Sequence, residues 1–291
     1  MGHKLVKIFI GLLLLCAISQ EVRSSDFVVV IDAGHGGKDI GCKGQKAREK
    51  DITLDVAKKL AERINKKLPG VKAVLTRSTD RQLSLRERAD IANRSNGNLF
   101  VSIHVNSVDA KSKGRSTVSG AQVYALGPDK SQKNLGVAMR ENSVMELEDD
   151  YTTAYKGFDP SSAESYIIFE LSQNAHMKQS IDFASSVQKH LISDAGRRDM
   201  GVRQAGFWVL WATKMPSVLV ELDFICNPRQ EIFLNSEEGR QKCTTAIFNA
   251  IKEYAEQNAS GAKKAVSDRG SKDGDKSKVN AKVAAAFTVK N

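Results

Sequence analysis

Short valine- and isoleucine-rich runs alternate along this chain with stretches in which apolar residues return every fourth position. That alternation restricts the possible folds more than any other feature. Phe27 to Ile31, Val71 to Thr76, Leu99 to Val105 and Gly120 to Leu126 read as strands, with Gly206 to Trp211 and Ser217 to Leu222 as two more. Ile52, Val56, Leu60 and Ile64 mark the apolar stripe of a helix whose start Asp51 can cap. Leu83 to Ala92 reads as a second helix and Glu238 to Glu256 as an amphipathic closing one. Such a pattern predicts an α/β fold, a mostly parallel or mixed central sheet with helices on both faces. The hydrophobic content of 41% is enough for a packed core. In folds of this class reactive residues collect at the carboxyl ends of the strands.

The two ends of the chain depart from the pattern. Residues 1–24 read as a secretory signal: Lys4 and Lys7 supply positive charge, and the apolar run from Leu5 to Ile18 centres on Leu12 to Leu15. That run is too short for a stable membrane span, and it predicts an exported, periplasmic protein. Cys16 raises the alternative of a lipoprotein, but Leu15 stands where such a signal places Gly or Ala. Residues 26–257 form the expected single catalytic domain, and 258–291, rich in Lys, Ser, Gly, Asp and Ala, a flexible basic tail. Within the domain, about 128–195 reads as a helical insertion. It holds an acidic stretch, Glu146 to Tyr151, and a turn at Gly157 to Pro160. The net charge of +10 suits an anionic lipid, wall polymer or nucleic acid. The sequence has no zinc-finger spacing, basic zipper or aromatic-interleaved basic patch, so no nucleic-acid partner is expected. Cys42, Cys226 and Cys243 are odd in number and lack C-x-x-C spacing, which reads as ordinary small, semi-buried side chains.

Histidines are few. His176 and His190 lie beside the apolar stripe of their helix and read as surface residues without a special role. His35, in the glycine-rich run Asp32 to Gly37, and His104 both follow strands. A catalytic zinc takes three protein ligands and keeps one position open, and two histidines with one carboxylate are a common set. Glu49, at the close of the loop that begins at His35, is the candidate third ligand. Glu221, a carboxylate within the apolar run Ser217 to Leu222, is the candidate general base. Asn106 is a candidate for orienting substrate or a ligand, with a plain loop hydrogen bond as the alternative. Taken singly, each residue has an ordinary explanation: a loop hydrogen bond for a histidine, a helix-start charge for Glu49, an arginine partner for Glu221.

Together they match a known pattern. Val30 to Gly41, Glu49, Thr76-Arg77 with Asp80, Leu85 to Asn93, Ser102 to Asn106 and Val220 to Pro228 resemble, in order, the motifs of the zinc amidases of the third type, which trim bacterial peptidoglycan. The resemblance covers Phe27 to Glu256 and departs from the family at Cys42, Asp223 and Cys226. It implies an N-acetylmuramoyl-L-alanine amidase, with Zn2+ on His35, Glu49 and His104, Glu221 moving protons and peptidoglycan as substrate. Some division amidases of this family carry a helix that plugs the zinc site until an activator protein moves it. The segment Asn134 to Ser172, with Glu141, Glu146, Glu148, Glu164 and Glu170, is the candidate counterpart, with a solvated helical cover over the sheet as the alternative. Two other readings remain: another exported zinc amidase or peptidase, and a catalytically inactive wall-binding protein. A phosphate-binding α/β protein is disfavoured, because Gly34 to Gly37 lacks the lysine and Ser/Thr of a phosphate loop.

Overall fold

A computed structural model describes residues 27–128, 131–171 and 175–260. The expected signal with Cys16, the side chain of Glu170 and the chain beyond 260 lie outside the described residues. Six strands form one sheet: β1 (Phe27–Ala33), β2 (Val71–Leu75), β3 (Leu99–Asn106), β4 (Ala121–Leu126), β5 (Asp199–Ala205) and β6 (Ser217–Phe224). Their order is β2-β1-β3-β6-β4-β5. β2, β1, β3 and β6 run parallel, β4 runs antiparallel to β6, and β5 runs parallel to β4. The sheet is therefore mixed, as expected.

Successive side chains of a strand face opposite ways, and both faces of this sheet are covered. Val29, Ile31, Val101, Ile103, Val218 and Val220 enter one core. There they meet Ile52, Val56, Leu60 and Ile64 of α1 (Glu49–Lys67), whose four-residue spacing puts all four on one stripe. Each contributes about 1.5–3 kcal/mol by leaving water. Val30, Phe100, Tyr124 and Leu219 enter the second core. It is covered by α2 (Leu85–Arg94), by α3 (Gln132–Asn142) and by irregular chain carrying Met145, Tyr155, Tyr166 and Phe169. Asp32, Ser102, His104 and Glu221 are in phase with that second set, so the polar residues of the strand ends belong to the α3 face.

Several boundaries differ from the sequence reading. The last-but-one strand is β5, not Gly206 to Trp211. An edge strand half open to water carries the polar sequence DMGVRQA, whereas the apolar run after it forms a helical turn, Trp208–Trp211, packed into the second core. Apolar runs of that length do not distinguish strand from helix. The stretch 128–195 ends in a helix, as its spacing of apolar residues predicts. This is α4 (Met177–Ser193), a core helix that buries Phe183, Ala184, Val187 and Leu191 against the sheet. α1 begins at Glu49, with Arg48 at the cap and Asp51 in the first turn, bonded to Arg48 at 2.6 Å. After α5 (Pro228–Asn235) the closing helix, α6, runs over 237–260, so residues 258–260 are helical rather than tail.

Candidate metal centre

β1 stops at Ala33 and the chain turns sharply outward. His35 has φ of +60°, a left-handed conformation that side chains other than glycine adopt at a cost of about 1–2 kcal/mol. Two buried arginines hold the turn. Arg88 donates to the carbonyls of Ala33 (2.7 Å) and His35 (2.8 Å), and Arg77 to those of Ala33 and Gly34 (2.8 Å each). Arg88 also pairs with Asp32 at 2.8 Å, and Asp32 accepts from Thr76 and Ser102. The strand end is thus wired to α2 and to the chain after β2.

Glu49 is the first residue of α1 and is fully buried. Its Oε2 accepts from the Cys42 amide (2.7 Å) and its Oε1 from the Val105 amide (2.8 Å). Gly41, at φ +64°, is what lets the loop approach so closely. A Cβ there would lie 2.6 Å from both Glu49 Oε2 and the His35 ring. His104 lies on β3 directly opposite Glu221 on β6, so the sheet register itself sets these two side by side.

α3 lies across these groups. Ser131 caps its start by accepting from the Asn134 amide at 3.3 Å. Near its end Glu141, 4% exposed, places Oε2 3.1 Å from His35 Nε2 and 3.0 Å from His104 Nδ1. Glu49 Oε1 lies 3.2 Å from the same two nitrogens. Arg140 accompanies it. Its guanidinium donates to Glu141 Oε1 (2.9 Å), Asn106 Oδ1 (3.1 Å), the Ser107 carbonyl (3.0 Å) and Glu221 Oε1 (3.3 Å). Asn106 in turn donates to Gln122 at 3.0 Å.

The donor set fits a metal. Ligand atoms about 2.0–2.1 Å from a tetrahedral zinc are separated by roughly 3.3 Å. Four of the six separations among His35 Nε2, His104 Nδ1, Glu49 Oε1 and Glu141 Oε2 run from 3.0 to 3.2 Å, and all lie within 4.8 Å. These residues form the group of His and carboxylate side chains, among those described, that could hold an ion. His35 Nε2 and Glu141 Oε2 are buried without a hydrogen-bond partner, as is Glu221 Oε2. His35 Nε2 and Glu141 Oε2 face the same space as Glu49 Oε1 and His104 Nδ1, themselves 3.2 Å apart.

The two buried carboxylates make the centre negative, a field that favours positive charge there. Burial alone would lower the pKa of His35, but Glu49, Asp39 and Glu141 raise it well above the usual histidine range. His104 is raised to about 9 against burial by Glu141 and Glu49. Glu49 is pulled down to about 2 against burial by His35. Glu221 goes the other way: burial, then the charge of Glu141, pushes it up to about 8, with Arg140 opposing.

Cavities of about 590 and 610 Å³ flank α3, and both are lined by Ser107, Val108, Asp109, Gly136 and Arg140. α3 thus lies along an open trough, and the first of the two cavities reaches His35 and Glu141 of the metal centre.

All five residues singled out from sequence are brought together here. Of the five carboxylates named in the insertion, only Glu141 reaches the centre among those described. Glu148 accepts from the Tyr155 hydroxyl and Glu164 from Ser162, away from it. Arg140 was not foreseen, because nothing in its local sequence separates it from other exposed helix arginines. Asp39, bonded to His35 Nδ1 at 2.7 Å, was not foreseen either, although it stands four residues after His35 in the same motif. His190 has a part as well: it bridges Asp194 (2.7 Å) and Glu253 (3.0 Å), tying α4 to α6. Cys42, Cys226 and Cys243 are free thiols, the first two half-buried and the third buried.

Comparison with known proteins places this geometry. A family model described as N-acetylmuramoyl-L-alanine amidase matches residues 29–253. The N-acetylmuramoyl-L-alanine amidase AmiA of Escherichia coli is 33% identical over 78% of this chain and 75% of its own length. YqiI of Bacillus subtilis, an uncharacterised protein, is 33% identical over 79% of this chain and 85% of its own. Among solved structures, the catalytic domain of the amidase CwlV from Paenibacillus polymyxa superposes with a TM-score of 0.57 at 29% identity, covering 79% of this chain and 98% of that one. An amidase from Clostridium difficile 630 superposes at 0.59 with 26% identity, covering 80% and 98%.

Proposed function

This chain belongs to the N-acetylmuramoyl-L-alanine amidase family, a cell-wall amidase of peptidoglycan, and from that premise we propose that it is an exported, zinc-dependent enzyme held closed by its own α3. His35, Glu49 and His104 are the ligands in this reading, and the bond cut joins N-acetylmuramic acid to the L-alanine of the stem peptide. A bound zinc would polarise the scissile carbonyl and acidify the attacking water. Glu221, across the strand pair from His104, takes the water's proton and delivers it to the leaving amine. Asn106 holds its side-chain carbonyl toward the trough, where Arg140 now uses it, and would accept from a substrate N–H.

The observation that carries the reading is the placement of Glu141 Oε2, 3.0–3.1 Å from both histidine nitrogens. Catalytic zinc sites keep a position open, and four protein donors make a closed set. Glu141 thus takes the place of water and substrate, while Arg140 neutralises the base. An activator protein that draws α3 out of the trough would restore the open site. The N-terminal signal and periplasmic location belong to the same proposal. The test is metal analysis of the purified protein together with mass spectrometry of peptidoglycan digested by its Glu141→Ala variant. About one zinc per chain, and free stem peptides beginning with L-alanine, are expected. Cleavage within the stem peptide instead would overturn the assigned bond.

A further inference from the structure

We infer that Asp39 is a positioning residue that fixes the His35 ring so that Nε2, and not Nδ1, faces the metal. The inference rests on the zinc reading above and concerns a side chain that reading does not use. Asp39 Oδ2 lies 2.7 Å from His35 Nδ1, on the far side of the ring from the three converging donors. A neutral imidazole carries one proton, so a carboxylate that accepts from Nδ1–H leaves the lone pair on Nε2.

The loop is built to bring this carboxylate back. Gly36 and Asp39 bond reciprocally through their backbones (2.8 and 3.2 Å), closing a tight turn directly after His35. Gly36, at φ +134°, could not carry a side chain there, since a Cβ would lie 2.2 Å from the Arg81 carbonyl. The second oxygen of Asp39 is itself held, accepting from the Gly41 amide at 3.1 Å. The carboxylate therefore has a fixed direction, and the ring follows it. His104 differs in presenting Nδ1 to the centre. Metal-ligating histidines that lose such a partner typically lose 10–100-fold in metal affinity.

The experiment measures zinc dissociation constants by chelator competition for the wild type, Asp39→Asn and Asp80→Asn. Asp39→Asn keeps the shape of the turn but removes the charge that selects the tautomer. Asp80 is the control, because it braces the same loop through the Gly37 amide (2.8 Å) and Lys50 (2.7 Å) without touching a histidine. Asp39→Asn should weaken zinc about 10–100-fold, with the melting temperature of the zinc-free protein unchanged. Asp80→Asn should bind zinc within about threefold of the wild type. In the zinc-loaded wild type, nitrogen-15 NMR of the imidazoles should show the His35 Nδ1 proton in a strong hydrogen bond, weakened in Asp39→Asn. Equal zinc affinity in Asp39→Asn and wild type, or an equal loss in Asp80→Asn, would overturn the role of Asp39. A wild type that takes up no zinc would overturn the metal reading itself.

Discussion

Glu221 and Asp32 are both wholly buried carboxylates on the same face of the sheet, yet they are treated oppositely. Asp32 is satisfied by Arg88, Thr76 and Ser102, whereas Glu221 keeps one oxygen without a hydrogen-bond partner. An unsatisfied buried carboxylate costs stability, and such costs cluster where chemistry requires them. Glu221→Gln keeps shape and volume, so zinc should stay bound while turnover on peptidoglycan falls at least about 100-fold. Near-normal hydrolysis would move the base elsewhere. For Asp32, burial raises the pKa but Arg88 and the two hydroxyls outweigh it, and the carboxyl lies below its ordinary 3.8. A depressed folded pKa gives stability that is complete above the unfolded value and lost as pH falls through the folded one. Asp32→Asn should therefore cost about 3–5 kcal/mol at neutral pH, as expected for breaking a buried pair. It should also flatten the acid limb of stability against pH. Denaturant titrations between neutrality and pH 2 measure both, and an acid limb as steep as the wild type's would contradict the account.

α3 is at once part of the core and the cover of the site. Ala138 packs into the second cluster beside Val144, Met145, Tyr155, Tyr166 and Phe169 from the chain that follows. Replacing Asn134 to Ser172 by a linker would strip that face of the sheet, so lost activity in such a deletion would not speak to autoinhibition. Glu141→Ala is the cleaner variant. It removes the carboxylate at the histidines but leaves Ala138 and Asn142 in place, the latter bonded to Tyr166 (3.1 Å) and to the Gly206 carbonyl (2.8 Å). If the plug acts with a coupling of about 1–3 kcal/mol, activity without an activator should rise about 5- to 150-fold. A folded, zinc-loaded Glu141→Ala protein no more active than the wild type would end the autoinhibition proposal.

Across the whole molecule, the centre joins the loop after β1 and the start of α1 to the end of β3 and to α3, through His35, Glu49, His104 and Glu141. An ion bound there cross-links both faces of the sheet. At a free zinc concentration 100 times the dissociation constant, binding stabilises the native state by about 2.7 kcal/mol. For a domain of this size that corresponds to a rise in melting temperature of roughly 5–10 °C. Calorimetry with and without a chelator should show that shift. Its absence in a zinc-loaded sample would mean that the ion does not bind at a site joining these elements.

The sequence by itself determined which residues stand at strand ends and on which face. Two-residue alternation puts Phe100, Ser102 and His104 on one side of β3, and four-residue spacing puts Ile52 to Ile64 on one side of α1. His35 and His104 stood out at strand ends, Glu49 at the close of the glycine-rich loop and Glu221 as a charge in an apolar strand, with motifs in a familiar order tying them together. Periodicity carries no information about neighbours. That β6 lies against β3, setting Glu221 opposite His104, depends on how the strands are ordered. So does the reversal that brings Gln122 of β4 beside Glu221. Asp223, which departs from the family pattern, makes sense only in three dimensions: it pairs with Arg197 at 2.9 Å and accepts from the Gly120 amide. The choice of Glu141 among the described acidic residues of one segment was likewise made by packing, because the turn of α3 anchored through Ala138 and Asn142 reaches the histidines. Local sequence encodes faces and turns through short-range sterics and burial, whereas partners distant in sequence are selected by the packing of the finished sheet.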